Sequence, residues 1–438
     1  MRFPFIVLMV LTAGLRAAPE PPALLSEPEE LAAYQREAAA AHPGLRAATL
    51  DADAAKAGAS AASALPDPSL SLEWENDGWG PSLGRQEMSV VRLGVTQPLP
   101  VAGARALRRA GAEADARAVR AGSARTARSL RAAVAREYWL RAALRERLAL
   151  LDEEGRTLAL IESSARARYG AGLGSQTEIL SAQAAMTALR ERRAGLTAQD
   201  DAAGVRLAAL LARGGGAPPP VTAALPEHFP APGDADLAIL IEGAPELAVS
   251  AAGQAGAQAR AELARRERRP QYALTGGLGW RGALDPMWMA GVSVRLPRRS
   301  RSGGELSRAR LEAESAGART GALRLALRAR AEALRARLRG ENETVRLQRE
   351  GSLPQRAQAV KAALTDYASG RIPFSLALNT SLEELAARDG WIETRRAAVF
   401  TLIDLEALDP AAGDAGVQPD PPMAGPVPAA SSSVPGGM

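Results

Sequence analysis

Two stretches that each hold a pair of two-residue alternating runs, 65–100 and 270–297, constrain this chain more than anything else in it. In the first, Leu70, Leu72 and Trp74 fall on one face. Ser69, Ser71, Glu73 and Glu75 fall on the other, which is the period of a β-strand. Asn76-Asp77-Gly78 and Gly80-Pro81 break the run, and Val91, Leu93 and Val95 then alternate with Arg92, Gly94 and Thr96. In the second, Tyr272, Leu274, Leu278 and Trp280 alternate with Thr275, Gly277 and Gly279. Trp288, Ala290, Val292, Val294 and Leu296 then alternate with Gly291, Ser293 and Arg295. Two readings fit such hairpins: half-buried on a soluble core, or set in lipid with a wet lumen behind.

Strands are predicted over 69–77, 88–97, 271–280 and 287–296. Nine or ten residues is the length a tilted strand needs to cross a bilayer. Four strands cannot close a barrel, since single-chain barrels need about eight. An open edge in lipid would leave backbone groups unsatisfied. If these strands span a membrane, several copies must share one barrel, and spacing alone does not choose between two copies and three. Leu70, Leu72, Trp74, Val91, Leu93, Val95, Leu274, Leu278, Val292 and Val294 would then face lipid. Glu73, Glu75, Arg92, Thr275 and Arg295 would face the lumen. Trp79, Trp280 and Trp288 lie near strand ends, where interfacial aromatics belong.

The rest of the chain reads as helix. Aromatic residues make up only 4%, while Ala, Leu and Arg dominate, a composition suited to long helices. The stretch 103–169 has no proline and makes a rod of roughly 100 Å if it is one helix. Leu144, Leu148, Leu151, Leu158 and Ala165 follow coiled-coil spacing along it. Glycines at 170, 172 and 174 break the rod, and Ser175 with Glu178 forms the pattern of a capping box for the next helix, which runs to about 213.

The plan then repeats. Ala244-Pro245-Glu246-Leu247 echoes His42-Pro43-Gly44-Leu45, the second strand pair follows, and another rod leads to Tyr367 and a second glycine break. These landmarks keep their order at an offset of about 200 residues, so the chain is internally duplicated. The resulting division is a signal peptide over 1–18, a first repeat over 19–213, a linker over 214–233, a second repeat over 234–409 and a disordered tail over 410–438. A buried N-terminal strand is the alternative reading of 1–18.

Several function classes drop out. Lys and Arg total 54 against 49 Asp and Glu, but Arg and Glu interleave along the helices, as solvated faces do and a nucleic-acid surface does not. The absence of cysteine excludes disulfides, thiol chemistry and a Cys-linked lipid. His42 and His228 are the only histidines, with no metal-ligand spacing and no catalytic triad around either. Gly276-Gly277-Leu278-Gly279 does not lead into a helix, so it is no phosphate loop. Glu153-Glu154 and Glu383-Glu384 have arginines as helix neighbours and are read as paired with them. The chain is expected to be no enzyme and to need no cofactor.

Four markers in order then carry a resemblance. They are His42-Pro43-Gly44-Leu45; Leu65-Pro66-Asp67-Pro68; Gln97-Pro98-Leu99-Pro100 followed by Gly103 and Arg105; and Arg168-Tyr169-Gly170-Ala171-Gly172 leading to Glu178-Ile179-Leu180. On these the chain resembles the outer membrane efflux proteins, the TolC-like outer membrane factor family, over roughly 29–408. The resemblance implies a mostly α fold, a long antiparallel coiled-coil barrel crossing the periplasm, continued by a β-barrel in outer membrane lipid. Each chain of a homotrimer would give four strands to a barrel of twelve. It implies an exit duct for efflux or type I secretion, passively conducting, docked to a periplasmic adaptor (membrane fusion) protein and an inner-membrane RND or ABC transporter.

It also implies that the breaks at 170–175 and 370–373 form periplasmic tips. Arg168, Tyr169, Gly172, Glu178, Tyr367, Gly370 and Leu378 would then be docking residues. Arg168, Glu178 and Asp366 are the candidates for contacts that hold the tip closed. The second tip departs from the family pattern, with Ser375-Leu376-Ala377-Leu378 where an acidic residue is expected before the last Leu. Arg298, Arg299 and Arg301 follow the last strand and read as a solvated cluster, at lipid headgroups or at the equator of the rod. The rival to the channel is a soluble periplasmic coiled-coil scaffold or adaptor.

Overall fold

Prolines and capping side chains set where the helices of this chain begin. The computed structural model describes residues 27–215 and 217–408, with Leu24; the predicted signal peptide and tail lie outside the described residues. Helix α1 (Glu29–Ala41) stops at His42, which caps α2 (Pro43–Ala61). The Gly44 N–H donates to His42 Nδ1 at 3.2 Å, and Pro43 occupies a first-turn position where a missing N–H costs nothing.

Helix α3 (Ala104–Gly170) is a single rod of 67 residues, about 100 Å long, and α4 (Gln176–Leu210) returns along it. After α5 (Asp234–Glu242), the second half starts α6 (Pro245–Arg266) on a proline as α2 does. Its rod is α7 (Arg299–Leu347), one π-helical turn (Gln348–Ser352) and α8 (Leu353–Ala368), with α9 (Phe374–Ala407) returning. The wide turn precedes Pro354, whose ring would otherwise meet the carbonyl of residue 350. The apolar stripe Leu144, Leu151, Leu158 and Ala165 is buried along the α3 seam.

The main core gathers the middle of α3 with α1, α4, α5, α7 and α9. The stretch 214–233, expected to be a linker, is irregular over its described residues 214–215 and 217–233 yet belongs to this core through Val221, Leu225 and Phe229. Its prolines deny it regular hydrogen bonding, so side chains satisfy its backbone. Arg141 donates to the Pro219 carbonyl, Arg395 to that of Leu225 at 3.0 Å, and Glu146 accepts the Leu225 N–H at 2.7 Å.

Buried ion pairs stitch the same level. Arg141 binds Asp200 at 2.8 Å, joining α3 to α4, and Arg147 binds Asp389 at 2.8 Å and Glu393 at 2.6 Å, joining α3 to α9. Pairing of the helix carboxylates with arginines of their own helix is corrected. Glu153 accepts from Arg388 at 2.6 Å, Glu154 from the Ser381 hydroxyl at 2.6 Å and Glu383 from Arg356 at 3.1 Å. In each case the partner comes from the facing helix, because these seams bring antiparallel rods together along their whole length.

The strands form one antiparallel sheet in chain order: β1 (Ser69–Glu75), β2 (Val90–Leu99), β3 (Gln271–Arg281) and β4 (Leu284–Arg295). The β2–β3 pairing joins the two repeats into one sheet. β1 is shorter than predicted, and β4 starts at 284 rather than 287 because Gly282, at φ 69°, permits a tight turn. Gly94 and Gly277 face each other in register. A Cβ on Gly277 would lie 2.7 Å from the Leu93 carbonyl oxygen and 3.1 Å from the Gly94 Cα, both backbone atoms that cannot swing aside. Gly277→Ala is expected to destabilise the sheet by about 1–3 kcal/mol, read as a lower thermal midpoint. Gly291→Ala, whose Cβ meets nothing within 4 Å, should leave that midpoint unchanged.

Candidate functional site

Two regions could do work: the faces of the sheet at one end of the rods and the joined helix breaks at the other. Cross-strand partners share a face. Leu72 is in register with Leu93, Leu93 with Leu278 and Leu278 with Trp288, and the same side carries Leu70, Trp74, Val91, Val95, Leu274, Val292 and Val294. All ten predicted lipid-facing residues therefore lie on one side. That side is open: Leu72 is 73% exposed, Trp74 67% and Trp288 79%. Among the described residues Val90 is the one buried hydrophobic side chain of the four strands. Burying this much apolar surface is the main drive of folding, so a sheet left this bare has no soluble core of its own.

The predicted lumen residues share the opposite face. Glu73 is in register with Arg92, which ion-pairs with Glu75. The hydroxyls of Thr96 and Thr275 are 3.1 Å apart, and Arg295 ends β4 opposite Gln271. Glycines 94, 277, 279 and 291 fill much of the remainder, and Val90, Met287 and Met289 are the larger apolar side chains on this otherwise polar or small-residue face.

At the far end the two breaks meet. Gly172 and Gly370, at φ 72° and 74°, make the left-handed turns between antiparallel helices. Arg168 lies 5.1 Å from the Tyr367 ring centroid and donates to the Tyr367 carbonyl at 3.3 Å and to that of Leu173 at 3.2 Å. The Tyr367 hydroxyl donates to Glu178 at 2.9 Å, and its ring meets Phe374 edge-on at 5.6 Å. Burial, then the Glu178 carboxylate, push the Tyr367 phenol up to about 12, so it remains a donor at neutral pH. Beneath lies a small second core of Leu158, Ile161, Ala165, Ala182, Ala363 and Ala377, against which Leu378 packs. Tyr169 is half exposed at the turn.

One expectation fails here. The capping box does not form: Ser175 makes no side-chain cap, and the Glu178 carboxylate reaches across to Tyr367 of the other break. Asp366, the third gate candidate, pairs with Arg371 at 2.6 Å inside its own turn, apart from Arg168 and Glu178. Arg371 and Phe374 were not singled out in the sequence. Arg371, five residues beyond Asp366 across a glycine turn, was the available signal.

No described helix is long and apolar enough to cross a membrane. Residues 35–213 match the family model for outer membrane efflux proteins. No curated protein matches the sequence. Among solved structures the chain is similar to CusC at 17% identity, covering 89% of this chain and 96% of that one with a TM-score of 0.76. It is similar to the outer membrane protein VceC of Vibrio cholerae at 17% identity, covering 86% and 96% with a TM-score of 0.67. It is similar to the open state of the MtrE outer membrane channel of Neisseria gonorrhoeae at 18% identity, covering 86% and 88% with a TM-score of 0.70. At these identities the likeness is one of fold: long helical rods carrying a four-stranded sheet.

Proposed function

We propose that this chain, a TolC-like outer membrane efflux protein by its matching region and its fold, is the passive exit duct of an efflux or type I secretion assembly. The observation that carries the proposal is the sheet: four strands with a bare apolar face, an opposite face that gathers the charged residues, threonines and glycines, and two open edges. Lipid covers the first, water the second, and neighbouring copies the third. Three copies bring twelve strands, and the rods continue the passage into the periplasm. A soluble scaffold would have to leave Leu72, Trp74 and Trp288 in water.

The open edges set the test. If the chain is an integral barrel, it stays in the outer-membrane fraction through high-salt and carbonate washing. Recovery of the folded chain in the soluble fraction would favour the scaffold instead.

At the periplasmic tip, Arg168, Tyr169, Gly172, Glu178 and Gly370 lie at the surface offered to an adaptor, with buried Tyr367 and partly buried Leu378 supporting it from beneath, and behind the adaptor an RND or ABC transporter supplies the energy. An outward swing of α8–α9 from α3–α4 must break the Arg168–Tyr367–Glu178 contacts, each worth about 1 kcal/mol. Weak contacts of this kind suit a gate that adaptor binding outcompetes. Arg168→Ala and Tyr367→Phe are expected to raise single-channel conductance above a nearly closed wild type. Asp366→Ala, which breaks only a contact within one turn, should leave it near the wild-type value.

A further inference from the structure

The helical end of the β3–β4 pair carries a charge that the chain does not balance. Gln271 opens β3 opposite Arg295, which closes β4, so the residues just outside both strands emerge at one place. They are Arg268 and Arg269 before β3 and Arg298 and Arg299 after β4, all four exposed. None makes an ion pair or side-chain hydrogen bond among the described residues. Their neighbours behave otherwise: Arg108 pairs with Glu267, Arg265 and Arg266 with Glu262, and Arg301 with Glu305. Helix α7 also has no acidic residue in its first turn, so Arg299 sits where the helix dipole disfavours a cation. Nothing among the described residues accounts for four unpaired guanidiniums here.

Their place in the sheet does. Tyr272 and Val294 form the last paired row of the exposed apolar face at this end, and exposed Leu296 follows. The four arginines come next along the chain, at the height where hydrocarbon would give way to phosphate. Arginine suits that level, because its stem covers apolar surface while its planar head binds phosphate oxygens in pairs.

We propose that Arg268, Arg269, Arg298 and Arg299 bind the phosphate of an anionic phospholipid in the leaflet at the helical end of the sheet, an assignment that rests on the sheet being membrane-spanning. The site anchors the barrel vertically and selects acidic lipid for the ring around its foot.

The test uses the full-length protein in neutral detergent, incubated with equal amounts of phosphatidylglycerol and phosphatidylcholine, separated by gel filtration and assayed for bound lipid. The wild type should retain phosphatidylglycerol in about tenfold excess. R268Q/R269Q/R298Q/R299Q should retain the two equally. R117Q/R120Q/R125Q/R131Q, which removes the same charge farther down α3, should behave as wild type. Should the first variant not assemble, the wild type alone decides, because the excess must fall as salt is raised.

Undiminished excess in R268Q/R269Q/R298Q/R299Q, equal loss in the control, or indifference to salt overturns the proposal. Displacement of the lipid by inorganic phosphate would make this a site for the free ion and also overturns it. Carbonate washing of the same membranes separates the two failures. A chain that stays in the membrane without lipid preference sinks only this site, whereas a chain that washes off sinks the membrane reading with it.

Discussion

Leu93→Arg should abolish assembly into the outer membrane, while Ser71→Arg should leave it intact. Leu93 lies mid-sheet, in register with Leu72 on one side and Leu278 on the other, on the bare apolar face. A guanidinium at the bilayer midplane costs about 2–4 kcal/mol in a membrane strand, and each copy in the assembly carries it. Ser71, opposite Gly94, lies one residue away in strand period but on the polar face, where a lumen accommodates a charge. Leu72→Arg and Val95→Arg should follow Leu93→Arg. The readout is the amount of detergent-resistant oligomer in the outer-membrane fraction. The reverse pattern would mean that the apolar face looks inward.

Asp389→Ala should be the most destabilising single change in the helical rods. Its carboxylate accepts from Arg147 at 2.8 Å and from Arg192 at 2.5 Å, and so holds α3, α4 and α9 at one level. The Arg147 side chain is 8% exposed. Loss of the Asp389 carboxylate leaves the buried Arg147 guanidinium with Glu393, which still accepts from it at 2.6 Å, so one of two buried charge-assisted contacts is lost at a cost of about 1–3 kcal/mol. Spread over the heat-absorbing helical mass, that lowers Tm by about 3 °C. Arg308→Ala is the contrast. Its pair with Glu312 is solvent-exposed, so the loss should stay within about 0.5 kcal/mol and leave Tm unchanged within error.

What could be read in the sequence, and what could not, divides by the range of the interaction. Alternation at Leu70–Leu72–Trp74 is a local signal, and the partners of these three across the first ladder, Val95, Leu93 and Val91, agree with its face. The order of the strands was not local: β2 pairs with β3 across 171 intervening residues, and nothing in either strand names the other. Proline and glycine at 214–233 correctly exclude regular structure, but composition carries no information on burial, so Phe229 in the core was unexpected. Ser175 and Glu178 match a capping pattern, yet the donor that the Glu178 carboxylate meets is a tyrosine hydroxyl 189 residues away. Arg147 and Asp389, 242 residues apart, meet only because the duplication lays one rod against the other. At the tip, the glycine turns announced where the helices reverse. Which side chains bridge the two turns depends on their coming together: Arg168 and Glu178 do so through Tyr367, while Asp366 pairs within its own turn.

The central claim is that one face of this sheet meets lipid and the other water. The chain has no cysteine, so each single-cysteine variant carries one reactive thiol. Cysteine placed singly at 71, 72, 93, 96, 275 and 278 should be probed in intact outer membranes with a water-soluble, lipid-impermeant maleimide. Ser71→Cys, Thr96→Cys and Thr275→Cys should label, and Leu72→Cys, Leu93→Cys and Leu278→Cys should stay protected until the membrane is dissolved. Labelling of both sets alike, or protection of the first set alone, would contradict the account.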